Sequence, residues 1–224
     1  AWDDPNGVPI SAFVFGGRLS HDMPLVFQTF DWSHGIYAAA TMGSEATAAA
    51  ESNLPQIRRD PMAMLPFCGY HLADYFAHWL ALGQKLAHPP AIFRVNWFRR
   101  DADRRFLWPG FGDNARVLAW MVERAHGRAA ALETPCGWMP RYEDLNFSGL
   151  ELSKADFNRL TNVDPERLLE EAKTHDELLA PLFDRLPLEL THQRDLLRLR
   201  LKEAVEAPRA RISVLPRPGG PQAA

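Results

Sequence analysis

Residues 91–114 read AIFRVNWFRRDADRRFLWPGFGDN, and the fold turns on how they are read. The run 91–98 is rich in β-branched and aromatic residues and predicts a strand; RFLWPG at 105–110 predicts its partner across the RDADR turn. In such a hairpin, alternation divides the aromatics between two faces, and the buried face is ordinary core. Trp97 and Phe98 are neighbours and would point to opposite sides. Phe111 sits between Gly110 and Gly112, where a bend would leave its ring exposed. Asn114 carries an amide that both donates and accepts. Aromatics beside an amide suit a flat purine, held by stacking and by a hydrogen bond to its edge. The four arginines of 99–105 alternate with Asp101 and Asp103, so they read as a solvated turn rather than a nucleic-acid patch.

Working outward, VPISAFVFGG (8–17) predicts a strand entering a turn, and PLVFQTFDW (24–32) a second strand. The segment around Gly35-Ile36-Tyr37 is a further strand candidate. Residues 41–56, TMGSEATAAAESNLPQ, are small helix formers that Ser44 could cap, in a run short enough to need packing. From Tyr70 to Ala87 the period changes: Leu72, Tyr75, Phe76, Trp79, Leu80 and Leu82 recur at helical spacing, and Pro89-Pro90 ends the run. Asp113 or Asn114 can cap a helix showing Val117, Leu118, Met121 and Val122 on one face and ending at Gly127. Asp164-Pro165 opens another helix, which reaches about Leu186 with a bend at Pro181. Residues 188–206 supply one more. The chain is thus expected to be α/β, with a mixed sheet, flanking helices and a helical C-terminal third. Residues 1–206 are read as one unit and 207–224 as a loose tail.

Composition narrows the function classes. Apolar residues make up 46% of the 224, charged residues 24%, and the net charge is −3, so a polyanion-binding surface is not expected. No run approaches the ~20 apolar residues of a membrane span. Cys68 and Cys136 are the only cysteines, too few for a disulfide framework, and a reducing, cytoplasmic setting is the simplest reading. The chain opens Ala1-Trp2-Asp3-Asp4 and reads as a piece of a longer protein.

Catalytic motifs are sparse. His71 and His78 share a helix face but stand roughly 10 Å apart, too far for one ion, and Cys68 with His71 makes only half a site. Neither a G-x-S-x-G elbow nor a G-x-x-x-x-G-K-[ST] phosphate loop is present. FGGRLS (15–20) is more informative. Its glycines allow close backbone approach, and Arg18 offers a planar fork to phosphate oxygens. An ordinary Gly-Gly turn with a surface arginine is the competing reading.

Taken together, VPISAFVFGGR, MGSEATAAAE, PMAMLPFCGYHLADYFAHWL and VNWFRRDADRRFLWPGFGDN, in that order, closely resemble the GTP-dependent phosphoenolpyruvate carboxykinases, in their C-terminal part only. That family interconverts oxaloacetate and phosphoenolpyruvate, with loss or gain of CO2, using GTP or GDP, Mn2+ and Mg2+. The resemblance implies that Arg18 contacts nucleotide phosphate. It implies that Trp97, Phe98 and Phe106 form the base pocket, and that Phe111, Gly112, Asp113 and Asn114 bind guanine. Residues 46–56, including Ala46, Thr47, Ala48, Ala49, Ala50 and Glu51, match the lid that folds over the active site. Small residues suit a lid that orders on closure and excludes water.

The departures from the family pattern are Leu19, Gly43 and Leu65, each at a position where the family carries arginine. Together the three lost cations would weaken anion binding by about a few kcal/mol if each contact was charge-assisted. The family's phosphate loop, reactive cysteine and metal ligands lie upstream of these motifs. The chain alone is therefore expected to be inactive, as part of an enzyme whose remainder supplies the chemistry. The rival expectation is a pseudoenzyme domain that serves as an interaction module.

Overall fold

The computed structural model describes residues 3–45 and 57–206, together with the backbone of 214–215. A mixed sheet runs through the centre. Its strands are β1 (Ala12–Gly16), β2 (Val26–Gln28), β5 (Ala91–Val95), β6 (Ala131–Thr134), β7 (Gly137–Met139) and β8 (Val214–Leu215), in the spatial order β1-β5-β2-β7-β6-β8. Among the described strands, β1 and β5 are parallel and the other pairings antiparallel. A separate ribbon joins β3 (Gly43–Glu45) to β4 (Ile57–Arg59).

Alternation along β5 explains the layering. Phe93 and Val95 face a core completed by Trp108, by Val117, Trp120 and Met121 of α3 (Asn114–Ala125), and by Phe157 and Leu160 of α4 (Lys154–Thr161). Ile92 faces the opposite core, with Ile36 and Tyr37 of α1 (Trp32–Ala40) and Phe76 and Leu80 of α2 (Leu72–Lys85). Leu179 of α5 (Pro165–Leu179) and Leu190 of α6 (Leu188–Glu206) close that layer. The sheet is buried on both faces, which is why β5 is apolar apart from Arg94 instead of alternating. The architecture is mixed α/β with a helical C-terminal third, as the sequence predicts.

Three expectations are overturned. The segment around Gly35-Ile36-Tyr37 is helix, not strand: Asp31 caps α1 by accepting from the His34 amide at 2.7 Å. Every residue from His34 to Ala40 is buried, so the apolar run carries no period that separates helix from strand. Gly35 lets α1 lie on the sheet, because a Cβ there would stand 2.4 Å from Ile92 Cδ1. Ser44 does not cap a helix but sits in β3, where its hydroxyl accepts from the Arg18 amide at 3.2 Å. The helix expected over 41–56 otherwise lies outside the described residues. Finally, 105–110 does not pair with β5. Both edges of β5 are taken, by β1 and β2, and only one bridge, Arg100 to Phe106, remains of the hairpin.

Two elements have no clear period in the sequence. The β6–β7 hairpin needs Gly137, whose φ is +144° and where a Cβ would come within 2.4 Å of the Gln28 carbonyl. Ser153 caps α4 by accepting from the Asp156 amide. Within 207–224, the backbone of Val214–Leu215 pairs with Ala131 and Leu132, and the other tail residues lie outside the described ones.

Two histidines are locked inside neutral. Burial holds His34 and His175 at about 3, against an ordinary 6.5, with nearby arginines adding to the effect. The unfolded chain therefore binds protons that the folded one refuses, and stability rises with pH across that window. Stability should be complete above about pH 6.5 and fall steadily towards pH 3. Urea denaturation across this range checks it, and a flat profile would contradict the neutral assignment.

Candidate functional site

Because β1 and β5 are parallel and in register, with Gly16 opposite Val95, both chains leave the sheet at the same edge. That edge is where open α/β sheets place ligands, since neighbouring loops diverge there and leave a crevice. From β1 emerges Gly17-Arg18-Leu19; from β5 emerges Asn96-Trp97-Phe98.

Asn96 ties the two together. It is fully buried; its amide donates to the carbonyls of Leu19 at 2.8 Å and Met23 at 3.2 Å. Its Oδ1 accepts from the Leu19 amide at 3.3 Å and the Phe98 amide at 3.2 Å. One side chain thus satisfies backbone groups on both loops, groups that burial would otherwise leave costly. The ribbon base joins the same knot: the Glu45 amide donates to the Arg18 carbonyl at 2.7 Å, and Glu45 Oε1 accepts from Ser20 N and Oγ. Gly17 permits this approach, because a Cβ there would lie 2.2 Å from the Gly43 carbonyl oxygen. The side chain of Arg18 is exposed at this edge.

The aromatic residues divide into two groups. Trp97 stacks on buried Trp108 at a centroid distance of 6.4 Å and packs against the α3-side core. Phe98 and Phe106 meet edge to face at 6.0 Å, both partly open to solvent, with the Arg100 guanidinium 3.9 Å over the Phe106 ring. Phe111 stands apart: it is 99% exposed, at a positive φ of 40°, in the 3-10 turn that opens α3. A β-carbon-bearing residue at positive φ is uncommon and strained, and such strain concentrates at ligand sites.

The amide of Asn114 is already half engaged. Indole N–H is a donor only, so the 2.8 Å contact from Trp108 Nε1 must end on Asn114 Oδ1. The Nδ2 donors remain for another partner. Asp113 is held by Arg116 Nε at 2.8 Å, and Gly112 has open space around its α-carbon. Residues 46–51, the expected lid, lie outside the described residues. Among the described residues no group of three or more His, Cys, Asp or Glu side chains is arranged to hold a metal ion. No helix among them is long and apolar enough to cross a membrane.

Sequence reasoning missed Asn96 and Trp108. Asn96 had one legible signal: a polar residue directly after a strand that is apolar apart from Arg94. Trp108 had none, since indole rings are as common in cores as in pockets.

Comparison with known proteins is specific. Residues 1–200 match the family model described as phosphoenolpyruvate carboxykinase C-terminal P-loop domain. The phosphoenolpyruvate carboxykinase (GTP) of Anaeromyxobacter dehalogenans is 49% identical over 202 residues, covering 90% of this chain and 34% of that protein. The protein of the same name from Treponema pallidum is 50% identical over 204 residues, and that from Thermoplasma volcanium 46% over 200. The chain spans about a third of the length of these curated relatives.

Replacing Asn96 with alanine should cost about 2–4 kcal/mol, because it strands buried groups on both loops at once. Chemical denaturation measures the loss. A change below about 0.5 kcal/mol, the size of a neutral surface substitution, would show that Asn96 does not hold the edge together.

Proposed function

We propose a function from one secure premise: the chain belongs to the GTP-dependent phosphoenolpyruvate carboxykinase family. As the C-terminal part of such an enzyme, it binds the guanine nucleotide, while the remainder of the protein supplies the phosphate loop and the metal ligands. The reaction it serves converts oxaloacetate and GTP to phosphoenolpyruvate, GDP and CO2, a gluconeogenic step in the cytoplasm. Mn2+ and Mg2+ take part in that reaction with ligands outside this chain.

The observation that carries this reading is the shared edge of β1 and β5, which puts Arg18 and the Phe98–Phe106 pair on loops joined by Asn96. A base inserted there would find ring surface on Phe98 and Phe106, and Phe111 offers a further exposed ring. The Asn114 Nδ2 donors match a carbonyl acceptor such as guanine O6. Arg18 offers its fork to a phosphate. Phosphoryl transfer depends mainly on positioning and charge stabilisation, so these residues hold the nucleotide rather than form bonds. Residues 46–51 serve as the lid that excludes water.

In the intact protein, Phe111→Ala should weaken GTP binding roughly 10- to 100-fold, the loss of one base–aromatic stack, with little change in stability. Calorimetric titration with GTP and ATP tests it. Equal affinity for both nucleotides, unchanged by the substitution, would remove Phe111 and the guanine assignment together.

A second reading, a non-catalytic module descended from the enzyme, is favoured by what surrounds the missing arginines. Leu19 is buried and lines a groove where Asp22, Glu45, Glu170, Glu171 and Glu177 face two arginines, Arg59 and Arg167, which pair with Glu171 and Asp22. The carboxylates outnumber the arginines, which disfavours phosphate there. A Cβ on Gly43 would come within 2.6 Å of Ile57 Cγ2 and 3.0 Å of Arg59 Nη1, so this position has closed around glycine. Leu65, by contrast, is 47% exposed. Gly43→Arg should therefore destabilise by about 1–3 kcal/mol through overpacking. Leu65→Arg should stay within about 0.5 kcal/mol. Thermal unfolding of the two variants checks the contrast. Carboxykinase turnover by the intact protein would dismiss the second reading.

A further inference from the structure

Trp108 is 1% exposed, in the α3-side core that also holds Phe93, Val117 and Trp120. Its ring stacks on Trp97, in the segment that leaves β5 at the nucleotide edge. An indole carries one polar atom into such a place, its Nε1–H, and a buried donor without an acceptor is costly. The acceptor is Asn114 Oδ1, 2.8 Å away.

The same contact constrains Asn114, the first residue of α3. A carboxamide turned by half a rotation keeps its shape but exchanges its oxygen for its NH2 group. Turned that way, Asn114 would set its NH2 against the indole N–H, donor against donor, and leave Trp108 unpaired. One orientation is therefore favoured. The turn before it is held as well: Asp113 accepts from Arg116 Nε at 2.8 Å, and Arg116 Nη1 donates to the Asn146 carbonyl at 2.6 Å.

A carboxamide whose oxygen is committed to an indole offers its donors to a further partner. At the 6-position of a purine that is a selection rule. Guanine has a carbonyl there, which accepts, and adenine has an amino group, which donates. An amide free to turn would present its oxygen to adenine as readily as its nitrogen to guanine, and would choose neither.

We propose that Trp108 is a specificity-determining residue of the nucleotide site. It is buried too deeply to stack on a base itself, and it acts as a positioning residue, by holding the Asn114 amide in the orientation that favours a 6-keto purine. The inference rests on the reading of Asn114 as the residue at the base edge. Because Trp108 is seated in the core, the amide is oriented before the nucleotide arrives, and a shell fixed in advance is what discrimination by a hydrogen bond requires.

Calorimetric titration of the intact protein with GTP and with ATP tests this, using Trp108→Phe, Asn114→Ala and the double variant. Trp108→Phe should narrow the preference for GTP over ATP about tenfold, roughly the worth of one hydrogen bond. Asn114→Ala should narrow it similarly, and the double variant should narrow it no further than Asn114→Ala alone. A packing role for Trp108 would weaken both nucleotides by the same factor and leave the preference intact; that result overturns the inference. If Asn114→Ala narrows the preference and Trp108→Phe does not, the inference falls and the reading of Asn114 stands. If Asn114→Ala leaves the preference unchanged, the reading of Asn114 falls and takes the inference with it. Should Trp108→Phe fail to fold, benzothienylalanine at position 108 keeps the ring's shape, replaces the N–H with sulfur and carries the same expected outcome.

Discussion

The pairing of β1 with β5 is the constraint from which the rest of the molecule follows. It is the one parallel contact in the sheet, so it alone delivers two chain segments to the same edge in the same direction. Antiparallel neighbours would have sent Arg18 and Trp97 to opposite ends. Parallel pairing needs a long crossover, and the chain between Gly16 and Ala91 fills it with β2, α1, the β3–β4 ribbon and α2. Asn96 then converts proximity into a fixed geometry, because its four hydrogen bonds reach both loops.

The helices were legible in the sequence where they keep one face wet. The face of α2 shows the spacing that predicts it, and α5 opens with the Asp164-Pro165 signal, Asp164 accepting from the amides of Glu166 and Arg167. α1 was not legible, because a helix buried all round looks like a buried strand. The 91–110 hairpin failed for a different reason. Strand propensity says that 91–95 will pair, but not with what. The competition among β1, β2 and 105–110 for two edges is settled by long-range packing, to which local pattern is blind.

The candidate site was legible as residue types before it was legible as geometry. Aromatics, glycines and an amide at 96–114 pointed to a purine, and the family resemblance narrowed it to guanine. The structure sorts these rings by exposure. Trp97 and Trp108 form a stacked wall continuous with the core, while Phe98, Phe106 and Phe111 keep surface open to solvent. Asn114 spends its acceptor on Trp108, which orients the amide. Sequence alone cannot distinguish a wall from a contact surface, because that depends on which ring is covered.

The β3–β4 ribbon and the interior of the fold meet in Glu171. Its carboxylate holds Arg59, the last residue of β4, and Arg59 Nη1 also donates to the Thr41 carbonyl at 2.9 Å just before β3. The ribbon that emerges beside Arg18 is thereby fastened to α5. Both side chains of the ion pair are largely buried, at 14% and 13% exposure, so losing either partner would strand the other charge in a medium that tolerates it poorly. The same carboxylate acts on Arg94 by its charge, opposing the lowering that burial imposes. The position of the ribbon is consequently set from the interior, by a carboxylate on α5 whose charge acts on both arginines.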